Sequence, residues 1–396
     1  MAERDVVVVG GGPAGAATAL FLEQRGHDVL LLDEARFPRD KICGESVSPG
    51  AWPLLAAIGA ADAVRALAPQ PLQGMQLTSP DGTCFRGDYR GAAQPGFALR
   101  REVLDAALLD RVRAAGIEVR EATRVVDLSL LDGVARGVVC ENGAGRETLG
   151  ARLVIGADGR RSVVARRLGL LGEHRTLRKF AVRGHWEGMH GLIAWGEMHV
   201  GGGGYCGIAP LSATAANVAF VLDQRAMRGA GGELEAFYRD ALRSRWPRLA
   251  ERLEHARLLA PPKAIGPLAV VARRVSAPGV LLVGDAAGFY DPFTGEGVTL
   301  ALRSAELAAG VADAVLRGRA AQLADYDRER DASTRDKFRL NRLLQRVVAW
   351  PALSDAVARR LARRPELADR LVGIAGDFVP ARRALSLDFV WDLLRG

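Results

Sequence analysis

The sequence has little cysteine and no long apolar segment. Its four cysteines, Cys43, Cys84, Cys140 and Cys206, lie far apart without C-x-x-C spacing, so they predict neither a metal site nor a disulfide framework and are typical of a reducing compartment. No stretch approaches the roughly 18 uncharged apolar residues of a membrane-spanning helix. The opening MAERDVVVV lacks the long apolar segment and cleavage site of a signal peptide. We therefore expect a cytoplasmic protein.

Aromatic residues are also sparse, at 6% of the chain, and no basic segment is interleaved with them, which argues against a nucleic-acid partner. The formal net charge is +8. Either an arginine-rich composition or an anionic or membrane-surface partner explains that charge. A length of 396 residues, of which 49% are hydrophobic and 25% charged, predicts a globular protein of one or two domains.

Glycine, in contrast, is concentrated near the start, in VVVVGGGPAGAATAL. The valines predict a buried parallel strand, residues 16–25 a helix that ends at Gly26, and residues 28–32 a second buried strand. The G-x-G-x-x-G pattern therefore lies where a strand turns into a helix. Glycine at these positions permits a tight turn, close approach of a pyrophosphate and close helix–strand packing, and the amino end of the helix attracts phosphate.

This turn predicts a dinucleotide-binding site. Asp33 ends the second strand, where it would accept hydrogen bonds from a ribose hydroxyl, and Glu34 follows it. The turn alone does not distinguish FAD from NAD. The turn residues expected to contact the dinucleotide are Gly10, Gly12, Pro13, Ala14 and Gly15.

Two later segments also run from a strand into glycine and aspartate. In ARLVIGADGRRSVVARRLG, a strand over 153–155 leads into Gly156 and then Asp158. In GVLLVGDAAGFYDPFTGEGVTLALRSAELAA, a strand over 280–283 leads into a glycine-punctuated loop and then a helix from Val298. An earlier segment, RREVLDAALLDRV, begins a helix near Arg101.

With these motifs in this order, residues 1–330 resemble the flavoprotein monooxygenase superfamily with the p-hydroxybenzoate hydroxylase fold. Within it, they are similar to the branch of geranylgeranyl reductases and flavin-dependent halogenases. The resemblance implies FAD as the cofactor and NADH or NADPH as the electron donor. It also implies that loop 291–297 packs on the isoalloxazine ring and that the following helix stabilises negative charge on the reduced ring. The residues assigned to the cofactor in this way are Arg101, Asp158, Gly284, Asp285, Pro292, Gly295, Gly297 and Val298.

The expected architecture is an α/β fold, with a Rossmann-like FAD-binding domain, an inserted mostly antiparallel sheet domain and a C-terminal helical region. Alternating segments such as GMQLTSPDGTCFRGDY predict the sheet, which would cover the flavin and form the substrate cavity. The final region shows helical spacing and would pack on the body or face a membrane surface. The boundaries are 1–73, 98–179 and 268–330 for the FAD-binding domain, 74–97 and 180–267 for the sheet, and 331–396 for the helices.

The segment FPRDKICGESVSPGAWPLL follows the second strand and resembles the K-x-C-G motif of geranylgeranyl reductases, and also flavoproteins that modify polyketide or phenolic-lipid products. We expect Lys41, Cys43 and Gly44 to lie at the cofactor. Cys43 either lines the flavin cavity or is a small residue in a crowded turn. No partner for a redox disulfide is evident.

Two reactions remain open. In the first, an NAD(P)H-dependent monooxygenase hydroxylates an aromatic, polyketide-like or phenolic-lipid molecule of secondary metabolism, and this is the interpretation we favour. In the second, reduced flavin passes a hydride to a carbon–carbon double bond. In YCGIAP (Tyr205 to Pro210), glycine replaces the second tryptophan of the halogenase W-x-W-x-I-P motif, which argues against halogenation. A flavin-binding protein without catalytic activity is a further alternative.

The sequence does not identify an acid or a base. Histidines and aromatic residues in a sheet more often serve packing than catalysis. Fold alone does not decide the chemistry either. The catalytic candidates are Cys43, Glu45, His199, Tyr205 and Pro292.

Overall fold

The computed structural model describes residues 3–174, 177–230, 232–383 and 391. Its strands are β1 Arg4–Val9, β2 Val29–Leu32, β3 Ser46–Val47, β4 Gln70–Leu72, β5 Gly74–Thr78, β6 Cys84–Asp88, β7 Gly96–Ala98, β8 Glu118–Arg120, β9 Arg124–Leu131, β10 Val134–Asn142, β11 Gly145–Gly156, β12 Leu171–Glu173, β13 Lys179–Glu187, β14 Gly196–Gly201, β15 Gly204–Pro210, β16 Ala215–Asp223, β17 Arg257–Leu258, β18 Lys263–Ile265, β19 Val270–Ala272, β20 Ser276–Ala277 and β21 Val280–Leu282. Its helices are α1 Pro13–Glu23, α2 Ala51–Ala57, α3 Ala61–Ala66, α4 Arg101–Ala114, α5 Val163–Arg167, α6 Leu234–Arg245, α7 Pro247–Arg252, α8 Gly297–Leu316, α9 Asp325–Ala349, α10 Pro351–Arg363 and α11 Pro365–Ala375.

A mainly parallel sheet forms the first layer, in the order β20-β21-β11-β1-β2-β8. Strand β1 pairs in parallel with β11 and β2, and its valines are buried because helices cover the sheet. Strands β9 and β10 extend β11 as an antiparallel ribbon. The carboxyl ends of β1, β2, β11 and β21 meet at one edge, where open α/β sheets bind ligands. The predicted Rossmann-like layer is confirmed.

Helix α1 begins at Pro13, three residues before the start that the sequence predicted. Proline fits the first helical position because its missing N–H would have no partner there and its φ angle is already helical. The glycine turn therefore opens directly onto the first turn of α1. The helix ends at Glu23, before Gly26, and packs against α8.

The second layer is a sheet in the order β17-β13-β16-β15-β14-β5-β6, with β18 beside β13. All of its pairs are antiparallel except β14 with β5, so the prediction of a mostly antiparallel sheet is confirmed. One face packs on α6 and α7 through Trp186, Phe220, Tyr238 and Trp246. The other face looks toward the first layer.

Helices α9 to α11 come after the last strand of the first sheet in the sequence. They pack across the second sheet near β6. The boundary expected at residue 331 falls inside α9, which runs unbroken from Asp325. Among the residues described above, no helix combines the length and the apolar character needed to cross a bilayer. Two short sheets, β3-β7-β4 and β12-β19, complete the fold.

Candidate functional site

A deep cleft lies between the ligand-binding edge of the first sheet, the inner face of the second sheet, and helices α8 and α9. Together with the part open to solvent, its empty space amounts to about 2260 Å³. Its walls come from both sheets and from both helices.

The glycine turn forms one end of this cleft, and it leaves no room for side chains at Gly10 and Gly15. Gly10 has a φ of 105°, and a Cβ on Gly15 would lie 1.8 Å from the Gly10 carbonyl oxygen. A Cβ on Gly284 would lie 2.7 Å from that of Ala14, so the loops after β1 and β21 touch. Asp33 accepts hydrogen bonds from the amide of Gly11 at 2.7 Å and of Ala35 at 2.8 Å. Its carboxylate thus braces the turn.

Most of the predicted cofactor residues line this one cleft although they come from five separate parts of the chain. Gly10, Gly15, Asp33 and Asp158 lie outside the lining. Glu34 points away, with its side chain 73% exposed and near Arg124. Those that line the cleft are Gly12, Pro13, Ala14, Lys41, Cys43, Gly44, Arg101, Gly284, Asp285, Pro292, Gly295, Gly297 and Val298.

Charged groups of both signs meet at the centre of the cleft. Burial lowers the pKa of Lys41, and the carboxylate of Asp285 opposes that change. Arg101 is held by Asp105 through two hydrogen bonds of 2.8 Å. Burial works to lower the pKa of Arg101, but the Asp105 carboxylate outweighs it, so the pKa is raised and the cation is permanent.

Asp158 adjoins the cleft between Ala157 and Gly159, which line it. One of its carboxylate oxygens accepts from the amides of Val163 and Val164 at 2.7 and 3.3 Å and so caps α5. Its other oxygen, Oδ1, is buried and finds no hydrogen-bond partner among the described residues. Burial raises the pKa of this carboxyl. Such an orphaned acceptor is typical of a group that a ligand or a water molecule completes.

The loop over 291–297 is fixed to the second sheet by Asp291. This carboxylate accepts from the Tyr205 hydroxyl at 2.6 Å, from the amide of Phe293 at 3.0 Å and from Lys179 at 3.0 Å. Burial and the charge of Asp291 raise the pKa of Tyr205 well above its usual value. Tyr205 therefore stays protonated and positions the loop, although its ring also lines the cleft.

The other catalytic candidates divide between the cleft and the sheet interior. Cys43, Glu45 and Pro292 line the cleft. His199 does not line it, and its ring lies 3.1 Å from Glu197, whose carboxylate is held by Arg252 at 2.7 and 2.8 Å. The histidine is thus placed to support Glu197 rather than to meet a ligand.

Helix α9 forms a polar wall of the cleft, which the sequence reasoning missed. Lys337 lies between Glu296, at 2.9 Å, and Asp377, at 2.5 Å. Burial raises the pKa of Glu296 to about 7 despite Lys337, whose charge is shared with Asp377. The α9 residues that line the cleft recur at steps of three, four and seven along the sequence, as on one face of a helix. This spacing was the signal that the sequence offered for the wall. The α9 residues that line the cleft are Arg330, Ser333, Thr334, Lys337, Phe338 and Asn341.

The side of the cleft formed by the second sheet is mostly apolar, although Glu197 and Tyr205 also line it. Met198 lies on β14, Ile208 on β15 and Val221 on β16, and Met75 lies on β5. Phe293 from the loop packs edge-to-face on Tyr205 at 5.1 Å. This side suits an apolar or aromatic ligand.

The described residues fit FAD. Gly12 lines the cleft without a side chain, and the amino ends of α1 and α8, where helices leave amides unpaired, both line the cleft. Lys41 and Asp285 add charged groups to the lining. The amides at the start of α1 would hold the pyrophosphate of the dinucleotide, and the amino end of α8 would meet another part of it.

Comparison with known proteins agrees with this geometry. Residues 3–339 match the family described as FAD binding domain. Menaquinone reductase of Mycolicibacterium smegmatis is 31% identical over 323 residues, which cover 77% of this chain and 75% of that protein. The 6-methylpretetramide 4-monooxygenase of Streptomyces rimosus is 30% identical over 312 residues, which cover 77% and 74%. Proteins named as a chlorinase, as a tryptophan 2-halogenase and as digeranylgeranylglycerophospholipid reductases are similar as well. The crystal structure of a flavoprotein/dehydrogenase from Cytophaga hutchinsonii superposes with a TM-score of 0.85 at 22% identity, covering 95% of this chain and 93% of that one.

Proposed function

The chain belongs to the FAD binding domain family, and on that premise we propose that it is an NAD(P)H-dependent monooxygenase that hydroxylates an aromatic, polyketide-like or phenolic-lipid molecule. It is an FAD-dependent oxidoreductase, like its relatives named as reductases and monooxygenases. The proposal concerns the reaction, the substrate class and the electron donor. It retains the arrangement expected from the sequence, in which the flavin lies on the first sheet and the substrate lies against the second.

The observation that carries this choice is Asn341, on the polar wall of α9. Its side chain is 6% exposed, and its Oδ1 atom has no hydrogen-bond partner within the part of the chain that the structure describes. A buried acceptor left unpaired costs about 1–3 kcal/mol. A hydroxylated aromatic substrate supplies the missing donor, whereas a plain hydrocarbon chain leaves Asn341 unpaired.

In this proposal, Gly12, Pro13 and Ala14 bind the pyrophosphate of FAD, Asp285 binds the ribose of the flavin, and the 291–297 loop holds the ring. FAD supplies the redox chemistry, because in its reduced form it activates dioxygen. The chain positions the reactants: Asp291 fixes the loop through Tyr205 and Lys179, and the apolar second sheet excludes water from the reacting atoms.

Reduction of a carbon–carbon double bond is the second candidate. It is favoured by the apolar wall of Met75, Met198, Ile208 and Val221, which suits an alkenyl chain, and by the relative named menaquinone reductase. The two candidates differ in whether product formation needs dioxygen.

The test is to reduce the FAD-loaded protein with NADH or NADPH in the absence of air, with a polycyclic phenol present, and then to admit ¹⁸O-labelled dioxygen. We expect product that carries one labelled oxygen atom. Product that forms before dioxygen is admitted, carrying deuterium from labelled NADPH, would establish the second candidate. If neither nicotinamide reduces the flavin, the assignment of the electron donor is wrong.

A further inference from the structure

Glu45 is held in the wall of the cleft by a buried polar cluster. It is 1% exposed, lines the cleft, and has a φ of 60°. This left-handed conformation is costly for a residue with a side chain, and it persists only where the surroundings enforce it. The neighbours of the Glu45 carboxylate therefore define what it can do.

In two of its hydrogen bonds the partner can only be the donor and the carboxylate the acceptor. The Glu45 Oε1 atom accepts from the backbone amide of Arg101 at 3.0 Å, and Oε2 accepts from Asn217 Nδ2 at 2.8 Å. The same Nδ2 atom lies 2.9 Å from the carbonyl oxygen of Cys43, which can only accept. The amide of Asn217 is thereby fixed with its nitrogen toward Glu45.

The third donor is His185, whose tautomer is fixed by Arg183. Arg183 Nη1 lies 2.8 Å from His185 Nδ1, and a guanidinium only donates, so Nδ1 must be the unprotonated ring nitrogen. The proton is then on Nε2, which donates to Glu45 Oε2 at 2.7 Å. His185 pairs with Asn217 across β13 and β16, so both side chains reach the same face of the sheet.

Three donors and no acceptor therefore surround the Glu45 carboxylate. The Arg183 donor occupies the Nδ1 atom of His185 at 2.8 Å, so this nitrogen has no lone pair left for another partner. Arg183 is itself held by Asp40 at 2.5 Å. A carboxylate has about four acceptor positions, and within the described chain one position on Oε1 is left for a ligand in the cleft.

We propose that Glu45 is the base that receives the phenolic proton of the substrate, an inference that rests on the proposed hydroxylation. The substrate O–H bond breaks and an Oε1–H bond forms, so the negative charge passes from the carboxylate to the phenolic oxygen. When the hydroxylated ring loses the hydrogen of its oxidised carbon as a proton to water and so regains its aromaticity, Glu45 returns its own proton to that oxygen. His185 and Asn217 are positioning residues, and the proton stays on Glu45 because His185 cannot relay it.

The test measures binding without turnover. The oxidised, FAD-loaded protein is titrated with 2-naphthol and, separately, with 2-methoxynaphthalene, which lacks the donor. Because a hydrogen bond to a charged group is at stake, we expect the naphthol to bind about 10- to 100-fold more tightly. Glu45→Gln should bring this ratio close to one and lower turnover about 10²- to 10⁴-fold. A ratio near one in the unsubstituted protein, or an unchanged ratio in Glu45→Gln, would overturn the proposal.

Glutamine at position 45 places an NH₂ group against one of the fixed donors, so a second pair of variants guards against misfolding. His185→Gln keeps a donor toward Glu45, and His185→Leu removes it. FAD content and the thermal midpoint are measured for both. We expect His185→Gln to retain most of the naphthol preference and His185→Leu to lose most of it. Equal preferences in the two variants would overturn the positioning role and with it the proposal.

The ratio of naphthol to methoxynaphthalene affinity and the labelled-oxygen test can each fail while the other succeeds. A naphthol preference that depends on Glu45, without labelled product, leaves Glu45 as the acceptor and rejects hydroxylation. Labelled product without that preference supports hydroxylation and rejects Glu45 as the base.

Discussion

Replacing Gly15 with alanine tests the glycine turn directly. The new Cβ would lie 1.8 Å from the Gly10 carbonyl oxygen and 3.1 Å from the Cβ of Ala157. The nearer neighbour is a backbone atom just after β1, which cannot rotate away as a flexible side chain could, so the contact is relieved by opening the turn. Overpacking of this kind costs about 1–3 kcal/mol. Because FAD requires the closed turn, we expect that cost to weaken FAD binding about 5- to 150-fold.

The assay is a titration of the apoprotein with FAD, in which the quenching of flavin fluorescence measures binding. Gly310→Ala is the matched control, because Gly310 lies inside α8 and a Cβ there would meet no described atom within 4 Å beyond its own stretch of helix. Alanine there should leave FAD affinity unchanged and stabilise the helix by about 0.5–1 kcal/mol. A Gly15→Ala protein that binds FAD as tightly as the unsubstituted protein would show that FAD does not need the closed turn.

Three further predictions concern the cleft. Asp285→Ala removes an acceptor from the cofactor end and should weaken FAD binding about 10- to 100-fold; unchanged flavin content after purification would contradict its assignment to the flavin ribose. Cys43→Ser should change turnover more than flavin content, and equal activity would make Cys43 a small residue in a crowded turn. Burial raises the pKa of Glu296 to about 7 from an ordinary 4.5, so the folded state binds the additional proton between these values and stability falls as the pH rises through them. In Glu296→Gln the decrease in thermal midpoint between about pH 5 and pH 7 should be smaller, and an equal decrease would show that Glu296 does not titrate there.

The first layer of the fold could be predicted because its signals are local. The valines of β1, the glycine turn and Asp33 follow one another within a single strand–helix–strand unit, and each residue type has a direct physical reason. The later Gly284–Asp285 segment has the same form. Parallel strands place such segments at one edge of the sheet, so the order of the motifs was enough to place the cofactor end.

The substrate end could not be predicted in the same way, because its residues meet only in three dimensions. Glu45 follows β2, whereas His185 and Asn217 lie on strands more than a hundred residues later, and their pairing depends on the register of β13 with β16. Asn341 belongs to a helix that carries no motif. The one signal in the sequence was the polar stripe of Thr334, Lys337 and Asn341 within α9. It indicates a helix face that does not pack on the apolar core.

We infer that FAD and the substrate share one continuous cleft. The most direct measurement is a titration of the FAD-loaded protein with 2-naphthol, following the flavin absorption spectrum and the amount of naphthol bound together. We predict one FAD per chain and a spectral change that saturates at one naphthol per flavin. Naphthol that binds without any change in the flavin spectrum would place it outside the cleft and contradict that claim.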